Sequence, residues 1–419
     1  MDKLYRYLII GAGISGITFG RLLQMKGEDN FIILEANSEA GGLCRTKQVR
    51  DDVLDIGGGH FLCTKYPSVY NFIFSHIAES EFNYFDRVSK IQLQGHYIDY
   101  PIESNIWQLP LDQQVEYLIS VIQNGENKGL PQPKNYEEWI RWKLGDLIAD
   151  SYMLPYNEKI WGIDPNEMDV DWLHKIPRLN IREILIASLK KNADTKKMPS
   201  HEGFYYPRSC GFQRIFDAIY APLKHKVTLN EPVKRLEYCN DYWLINDTYK
   251  ARTIINTAPW PSLFEPLGSP CNLRDSFQKL RWNSIVVSLW HEEYNHNWHW
   301  CYKPDLIYKD HRTFYIHNFA PHSNPHGIYT ETNVKRWSDE YLRWENLGKP
   351  IYEYKNEYAY PIPTLGHESA IKNIQDYYNR QGLFGLGRWG QWEYLNSDVC
   401  IWEAMELIEK LSDCNGIYS

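Results

Sequence analysis

A glycine-rich turn near the N-terminus has the residue types that bind a dinucleotide. Gly11, Gly13 and Gly16 follow the apolar run LYRYLII in the spacing GxGxxG, and Glu35 ends the next apolar run. Glycines permit a tight turn and close approach of a pyrophosphate, the following helix directs its N-terminus at the phosphates, and the carboxylate accepts ribose hydroxyls. We therefore predict a strand–turn–helix–strand unit that binds a dinucleotide.

A second stretch, DIGGGHFLC, places three consecutive glycines before His60. A backbone without side chains lets a flat ligand approach closely, and a histidine can adjust hydrogen bonding near neutral pH. An ordinary glycine turn is the alternative interpretation.

Composition limits the class of protein. The length of 419 residues predicts two or three domains, because a domain has on the order of 150 residues. The net charge of −8 argues against nucleic acid as a partner, and no apolar run has membrane-spanning length. The eight cysteines have no metal-ligand spacing, so we expect reduced thiols, no metal site and a cytoplasmic protein without a membrane partner. Assembly into a homo-oligomer is left open.

The order of patterns predicts an α/β protein with three parts. A discontinuous Rossmann-type domain takes residues 1–80, 201–268 and 373–419, where apolar strands alternate with helices. Helical periodicity over 103–200 predicts an inserted helical domain, and its polar stretch 191–203 has the composition of a mobile loop. Residues 81–102 and 269–372 are predicted to form an antiparallel β-sheet domain that binds substrate.

The sequence resembles a flavoprotein superfamily at ILEANSEAGGLCRT, where Gly41 and Gly42 follow Glu35. That superfamily includes amine oxidases, protoporphyrinogen oxidases and UDP-galactopyranose mutases, and in it the glycine doublet indicates FAD. The run PYNEKIW narrows the resemblance to UDP-galactopyranose mutases, because amine oxidases do not share PYNxKxW. Further matches, several with features of the eukaryotic branch, are RVSKIQLQGHYIDYPIESN, WHWCYKPDLIYKDHR, YAYPIPTLGHE and GRWGQWEYLNSD.

The resemblance implies an isomerase that interconverts the pyranose and furanose forms of a nucleotide sugar, UDP-galactopyranose and UDP-galactofuranose, with no net redox change. Reduced FAD is implied as cofactor, with its N5 attacking the anomeric carbon. The implied FAD-binding residues are Gly11, Gly13, Gly16, Glu35, Gly41, Gly42, Leu43, Gly58, Gly59, His60, Val233, Gly387, Arg388, Asn396 and Ser397. Gly58 and Gly59 would lie against the flavin near N5, whereas the helix that begins near Ser397 would direct its N-terminus at the ring.

A diphosphate requires arginines, whose planar forks pair with phosphate oxygens. The resemblance places one at Arg312, ten residues after Tyr302, and a second at Arg178. The eukaryotic pattern instead places this arginine at Ile176, so the basic residue of 175–178 that binds diphosphate stays open. With His60, the two arginines are the candidate catalytic residues. The implied substrate-binding residues are Tyr100, Tyr156, Asn157, Trp161, Arg178, Tyr302, Arg312, Tyr360, Tyr394 and Asn396.

Alternative interpretations remain for the electron source and for the substrate. Arg87 and Ser89 match a pair that binds NADPH in eukaryotic members of the family, so NADPH is a hypothesis for the reductant. The rivals for function are a mutase of a GDP- or dTDP-linked sugar, an FAD-dependent oxidase related to amine and protoporphyrinogen oxidases, and a flavin-binding scaffold without activity.

Overall fold

The computed structural model describes residues 3–175, 180–192, 203–268, 270–337 and 348–415. Within these ranges the strands are β1 Leu4–Ile10, β2 Phe31–Leu34, β3 Thr46–Val49, β4 Asp52–Asp55, β5 Phe82–Asp86, β6 Ser89–Leu93, β7 His96–Asp99, β8 Gly203–Pro207, β9 Val227–Thr228, β10 Leu236–Cys239, β11 Tyr242–Ile245, β12 Tyr249–Asn256, β13 Trp282–His291, β14 Trp300–Tyr302, β15 Arg312–Tyr315, β16 Gly327–Asn333, β17 Tyr352–Pro361 and β18 Leu383–Gly385.

The α-helices are Ile14–Met25, Pro67–His76, Ile102–Asn105, Leu111–Ile122, Tyr136–Leu144, Asp146–Ile148, Leu154–Trp161, Ile181–Lys190, Gln213–Tyr220, Trp260–Leu267, Arg274–Lys279, His367–Asn379 and Ser397–Asn415. Two π-helical turns, Ala149–Met153 and Arg388–Trp392, interrupt the regular geometry. No described helix combines the length and the apolar character needed to cross a bilayer.

The first sheet has the Rossmann arrangement that the N-terminal motif predicts. Its order is β10-β11-β12-β1-β2-β9, with β18 also paired to β12. Strand β1 is parallel to β2 and β12, and β12 is parallel to β18. The end of β1, Leu8 to Ile10, is buried because helices and loops cover both faces of a parallel sheet. The α/β fold class is confirmed.

The second sheet carries three of the predicted substrate-binding residues, Tyr302, Arg312 and Tyr360. Its order is β17-β13-β16-β15-β14-β6-β7, so β6 and β7 join strands that follow much later in the chain. The expectation of an antiparallel sheet needs one correction. Strand β6 precedes the helical insertion in the chain, and it pairs with β14 in parallel. The sheet is therefore mixed and not purely antiparallel.

Strand β5 departs from the predicted domain assignment. It lies within 81–102, yet it pairs with β8 in a separate antiparallel ribbon instead of joining the large sheet. The aromatic side chains of this ribbon pack together, with Phe85 and Phe204 rings 5.7 Å apart. The other domain boundaries stay predictions. Helices between Ile102 and Lys190 agree with the predicted helical insertion, whereas residues 193–202 of the expected loop lie outside the described residues.

Candidate active site

A cavity of about 650 Å³ lies at the carboxyl ends of β1 and β2, where a Rossmann sheet binds its ligand. Its size is that of pockets for small molecules and cofactors. Nine of the predicted FAD-binding residues line it: Gly11, Gly13, Glu35, Gly42, Leu43, His60, Val233, Arg388 and Ser397. Residues from distant parts of the chain therefore meet around one space.

The two glycine motifs form one surface of this cavity. Gly42 lies so close to Gly13 that a Cβ on Gly42 would be 3.3 Å from the Gly13 Cα. The buried carboxylate of Glu35 accepts hydrogen bonds from the Ala12 N–H, at 2.8 Å, and from the Asn37 N–H, at 2.9 Å. Each carboxylate oxygen can accept two hydrogen bonds, so the Ala12-bonded oxygen retains capacity for a hydroxyl group.

Protein atoms fill the space beside each glycine of the GGGH stretch. A Cβ on Gly57 would lie 1.7 Å from the Leu43 carbonyl oxygen. A Cβ on Gly58 would meet the Glu331 carboxylate at 2.5 Å, and one on Gly59 would meet the Phe314 ring at 2.2 Å. Close packing of the loop against its own protein thus requires all three glycines. Contact of Gly58 and Gly59 with a flavin stays a prediction.

His60 is held as a neutral imidazole at the edge of the cavity. Its Nδ1 lies 2.8 Å from the Gly58 carbonyl oxygen. Because a carbonyl only accepts, Nδ1 carries the proton and Nε2 keeps a lone pair. Burial and the positive charge of Arg388 lower the pKa of His60 to about 4. At neutral pH this side chain therefore offers one acceptor and no charge.

Three neighbouring strands place Tyr302, Arg312 and Glu331 in one row of the second sheet. Tyr302 lies opposite Arg312 in the β14–β15 ladder, and Arg312 lies opposite Glu331 in the β15–β16 ladder. The predicted pairing of Tyr302 with Arg312 therefore follows from strand register. Opposite charges in directly facing positions attract each other across a sheet.

Glu331 holds the Arg312 guanidinium in a fixed orientation. Its Oε2 accepts hydrogen bonds from Arg312 Nε at 3.0 Å and Nη2 at 2.6 Å, and its Oε1 accepts from the Gly59 N–H at 2.7 Å. Burial alone would raise the pKa of Glu331, but Arg312 and His311 hold it well below its usual range. A guanidinium has five N–H donors, so Arg312 retains donors for a ligand.

Aromatic side chains from the helix Leu154–Trp161 meet this row at two places. The Tyr156 ring lies 5.4 Å from Tyr302, whereas Trp161 lies 6.0 Å from Tyr360 and 5.6 Å from Tyr394. Tyr360 and Tyr394 are themselves 5.1 Å apart, edge to face. As their spacing of five residues predicts, Tyr156 and Trp161 contribute to different parts of the site.

Several predicted residues have structural contacts of their own. Arg388 donates hydrogen bonds to the carbonyl oxygens of Leu395, at 2.7 and 2.9 Å, and Ala359, at 3.0 Å. Asn157 donates to the Tyr136 hydroxyl at 2.6 Å and accepts from the Trp161 indole at 3.1 Å. Arg388 therefore fixes the loop that leads into the C-terminal helix, and Asn157 fixes Trp161.

The predicted NADPH pair is engaged within the protein. Arg87 donates to the Ser89 hydroxyl at 2.9 Å and to the Tyr302 hydroxyl at 3.0 Å. Its guanidinium also lies 4.3 Å from the Tyr100 ring and 5.0 Å from the Trp300 ring. The structure thus joins Arg87, Ser89 and Tyr100 to the row that contains Arg312.

Four further predicted residues, Gly16, Gly41, Gly387 and Asn396, are not among the residues that line the cavity. Gly16 packs on the Gly11 carbonyl, and Gly387 packs on Ser15, each too closely for a Cβ. Gly41 has a φ of 128°, which glycine adopts readily, and the Asn396 carbonyl accepts from the Cys400 N–H at 3.0 Å. Their contact with a cofactor stays a prediction. Arg178 lies outside the described residues.

Sequence reasoning missed Glu331, Arg45 and Asn356. Arg45 lines the cavity and donates to the Tyr354 hydroxyl at 2.6 Å, and Asn356 lines it while donating to the Ile56 carbonyl at 2.7 Å. Arg45 closely follows the Gly41-Gly42 doublet, and its nearness to that motif could have identified it. Asn356 lies two residues before the matched stretch YAYPIPTLGHE but outside it, whereas Glu331 lies far from any motif and only strand pairing brings it to the site.

Substitution of Gly57 tests the close packing of the GGGH loop. We expect Gly57→Ala to destabilise the protein by about 3 kcal/mol or more, because its Cβ would overlap the Leu43 carbonyl. Gly95→Ala is the control, since Gly95 has a φ of 82° and open space around it. For Gly95→Ala we expect the free energy of unfolding to fall only by the cost of a side chain on a left-handed backbone, about 1–2 kcal/mol. Thermal unfolding measures both; an equal or smaller loss in Gly57→Ala would contradict the packing.

The protonation state of His60 is open to direct measurement. In protein labelled with ¹⁵N-histidine, the His60 resonances are assigned by their absence in His60→Asn. We expect them to report a neutral ring with the proton on Nδ1 at pH 5.5, because burial and Arg388 disfavour the charged form. Titration with a midpoint of about 6.5, the ordinary histidine pKa, would show that the imidazole is not buried in this way.

Comparisons with known proteins agree with this geometry. Residues 9–74 match a family model described as an NAD(P)-binding Rossmann-like domain. The chain is 25% identical over 174 residues to a probable UDP-galactopyranose mutase of Klebsiella pneumoniae, a match that covers 41% of this chain and 44% of that protein. It is 24% identical over 184 residues to dTDP-fucopyranose mutase of Escherichia coli, covering 41% and 46%. Each match spans less than half of the relative.

Solved structures extend the likeness of fold to nearly the whole chain. A crystal structure of reduced UDP-galactopyranose mutase superposes with a TM-score of 0.87 at 20% identity, covering 98% of this chain and 94% of that one. A putative protoporphyrinogen oxidase from Exiguobacterium superposes with a TM-score of 0.74 at 15% identity, covering 98% and 99%. Residues 9–74 therefore match a Rossmann-like dinucleotide-binding domain, and the resemblance to UDP-galactopyranose mutases that the motifs indicated is confirmed, in sequence over part of the chain and in fold over nearly all of it.

Proposed function

We propose that this chain is an FAD-dependent mutase that interconverts the pyranose and furanose forms of a nucleotide sugar, with UDP-galactose as the first candidate. The main support for this proposal is the geometry around Arg312. Arg312 is oriented by Glu331 and lies in a row with Tyr302, so that the donors that Glu331 leaves unused can bind a diphosphate. An oxidase acting on an uncharged or cationic substrate has no need of such a group.

The cavity residues fit FAD. The Gly11–Gly13 turn would hold the pyrophosphate at the N-terminus of the helix Ile14–Met25, and the Glu35 carboxylate would accept a ribose hydroxyl. His60 and Ser397 would lie toward the flavin end of the same cavity. When bound in its reduced form, FAD supplies a nucleophilic N5 that reacts with the anomeric carbon of the sugar.

The protein's own contribution is to hold the diphosphate while its bond to the sugar breaks and reforms. Arg312 would stabilise the negative charge that develops on the leaving diphosphate. Burial raises the pKa of Tyr360 and of Tyr394, so both hydroxyls stay protonated and can donate to phosphate oxygens. Because these groups are held by surrounding contacts, little reorganisation is needed as charge develops.

Exclusion of water is the second contribution. Trp161 is buried, and its contacts with Tyr360 and Tyr394 form an aromatic wall next to the positively charged Arg388. Such a wall would shield a reactive sugar from hydrolysis and strengthen the electrostatic interactions inside. Neutral His60 would accept a hydrogen bond beside the cofactor without adding charge.

The nucleotide and the sugar follow from similarity and not from the geometry. One relative is named for UDP-galactopyranose and the other for dTDP-fucopyranose, so a dTDP-linked sugar is the second candidate. Tyr156, next to Tyr302, is the residue that we propose stacks on the base. A GDP-linked sugar requires a larger purine to fit at the same place.

Conversion by the reduced protein tests the proposed function. Dithionite-reduced protein is incubated with UDP-galactofuranose, dTDP-fucofuranose or GDP-linked furanose, and the pyranose products are separated by chromatography. We expect conversion only under reduction and without consumption of reductant, because the reaction has no net redox change. Turnover that consumes oxygen, with no isomerisation, would support the oxidase instead.

Arg312→Met tests the diphosphate site. We expect kcat/KM to fall by about 100-fold or more, because a charged donor to phosphate is lost. Arg312→Met with Glu331→Gln removes the unpaired carboxylate as well, so that poor folding is distinguished from poor catalysis. The matched control is Arg281→Met, which breaks an exposed ion pair with Glu167 and should change kcat/KM less than about twofold. Near-normal conversion by Arg312→Met would contradict the proposed role.

NADPH as reductant is a separate proposal, and Arg87 allows it to be tested. We expect Arg87→Ala to slow flavin reduction by NADPH about tenfold or more, because a cation for a phosphate group is lost. The dithionite-reduced variant shows whether Arg87 also acts through Tyr302: normal conversion assigns it to NADPH, whereas lost conversion with normal NADPH reduction would contradict the assignment. Rates are followed by flavin absorbance in a stopped-flow instrument.

A further inference from the structure

Lys159 of the PYNEKIW run has a charged side chain that the proposed function does not use. This side chain is completely buried, which is rare for lysine. Its Nζ donates hydrogen bonds to the main-chain carbonyls of Lys303, at 2.6 Å, and Asp305, at 2.9 Å. Both acceptors lie in the segment 303–311, which connects β14 to β15.

This contact joins the two groups of candidate substrate residues. The helix Leu154–Trp161 carries Tyr156 and Trp161, whereas Tyr302 and Arg312 lie at the two ends of the segment 303–311. The Asp310 carboxylate, within that segment, pairs with Lys303 Nζ at 3.2 Å and accepts from the Thr313 hydroxyl at 2.8 Å. Lys159 thus fastens the helix to a segment that has its own internal contacts.

Other polar contacts hold the end of the same helix on the second sheet. The Ile160 carbonyl accepts hydrogen bonds from the side-chain amides of Asn283, at 2.6 Å, and Asn333, at 2.8 Å. Asn283 also accepts from the Tyr360 N–H at 2.9 Å. These hydrogen bonds therefore fix the helix relative to the strand that carries Tyr360 on one side and to the segment 303–311 on the other.

Apolar packing alone does not explain a lysine at this position. Burial lowers the pKa of Lys159 to about 7, because its charge is held away from water. Loss of Lys159 would leave two part-buried carbonyl oxygens without this donor, which is unfavourable because an acceptor shielded from water is costly to leave unpaired. A methionine would fill the same space, whereas only a donor can bind two carbonyl oxygens of another segment.

We propose that Lys159 is a positioning residue: it fixes the segment 303–311 relative to the helix Leu154–Trp161, and thereby sets Tyr302 and Arg312 at the correct distance from Tyr156 for a nucleoside diphosphate. This inference rests on the proposed function, because it assigns Lys159 to the same site. It predicts a defect in substrate binding more than in the chemical step, since Lys159 is not among the residues that line the cofactor cavity.

The test compares Lys159→Met with Lys335→Met in the FAD-loaded protein. Lys335 also donates to a carbonyl near the end of this helix, that of Gly162 at 2.8 Å, but it belongs to an exposed contact. The dissociation constant of UDP is measured by quenching of tryptophan fluorescence, and KM and kcat are measured with the reduced protein per bound flavin. For Lys159→Met we expect the UDP dissociation constant and KM to rise about tenfold or more, with kcat falling by a smaller factor, because Arg312 also acts on the charge that develops on the diphosphate. Lys335→Met should bind UDP as the wild type does.

The outcomes separate this inference from the proposed function. Wild-type protein that binds UDP but converts no nucleotide furanose would contradict the proposed function, while the effect of Lys159→Met on UDP binding would still be measurable. Unchanged UDP binding and KM in Lys159→Met would overturn the positioning role. Where Lys159→Met yields no FAD-loaded protein, Lys159→Gln, which keeps an amide donor, is measured in the same way. Failure of both variants to fold would assign Lys159 to stability alone and equally overturn the proposal.

Discussion

The buried carboxylate of Glu331 is the group on which both halves of the site depend. A carboxylate removed from water is costly unless charge and hydrogen bonds compensate it, and here Arg312, His311 and the Gly59 N–H do so. The same contacts connect the second sheet to the GGGH loop beside the dinucleotide cavity. The position and charge of Arg312 are therefore linked to the backbone of the GGGH loop.

The contacts of Glu331 and Phe314 explain why the loop between the second sheet and the cavity has glycines at positions 58 and 59. The Glu331 oxygen that binds the Gly59 N–H lies where a side chain at Gly58 would begin, and Phe314 lies where one at Gly59 would begin. A side chain at either position would displace the carboxylate or the strand β15. The histidine after the glycines is then held by the Gly58 carbonyl, so its tautomer depends on the same arrangement.

Local sequence motifs predicted the structural features that are formed by residues close together in the chain. The Rossmann unit follows from Gly11 to Glu35, because strand, turn and carboxylate lie within one short segment. The pairing of Tyr302 with Arg312 was also predicted, through family spacing. Glu331 was not, because its role depends on which residue of β16 lies opposite Arg312, and strand register over distant segments has no local signal. Lys159 lies within a predicted motif but had no predicted role, since its acceptors lie 144 and 146 residues away.

The discontinuous first sheet has a consequence for synthesis on the ribosome. Strands β1 and β2 precede the helical insertion, but β12, which pairs with β1, follows it, and β18 pairs with β12 close to the C-terminal helix. Domains that are continuous in sequence fold as they emerge, whereas this sheet must wait for its later strands. Arg388 and Ser397, which line the cavity, also follow β18 in the chain. The lining of the cavity is thus complete only after the segment from β18 to Cys400 has been synthesised.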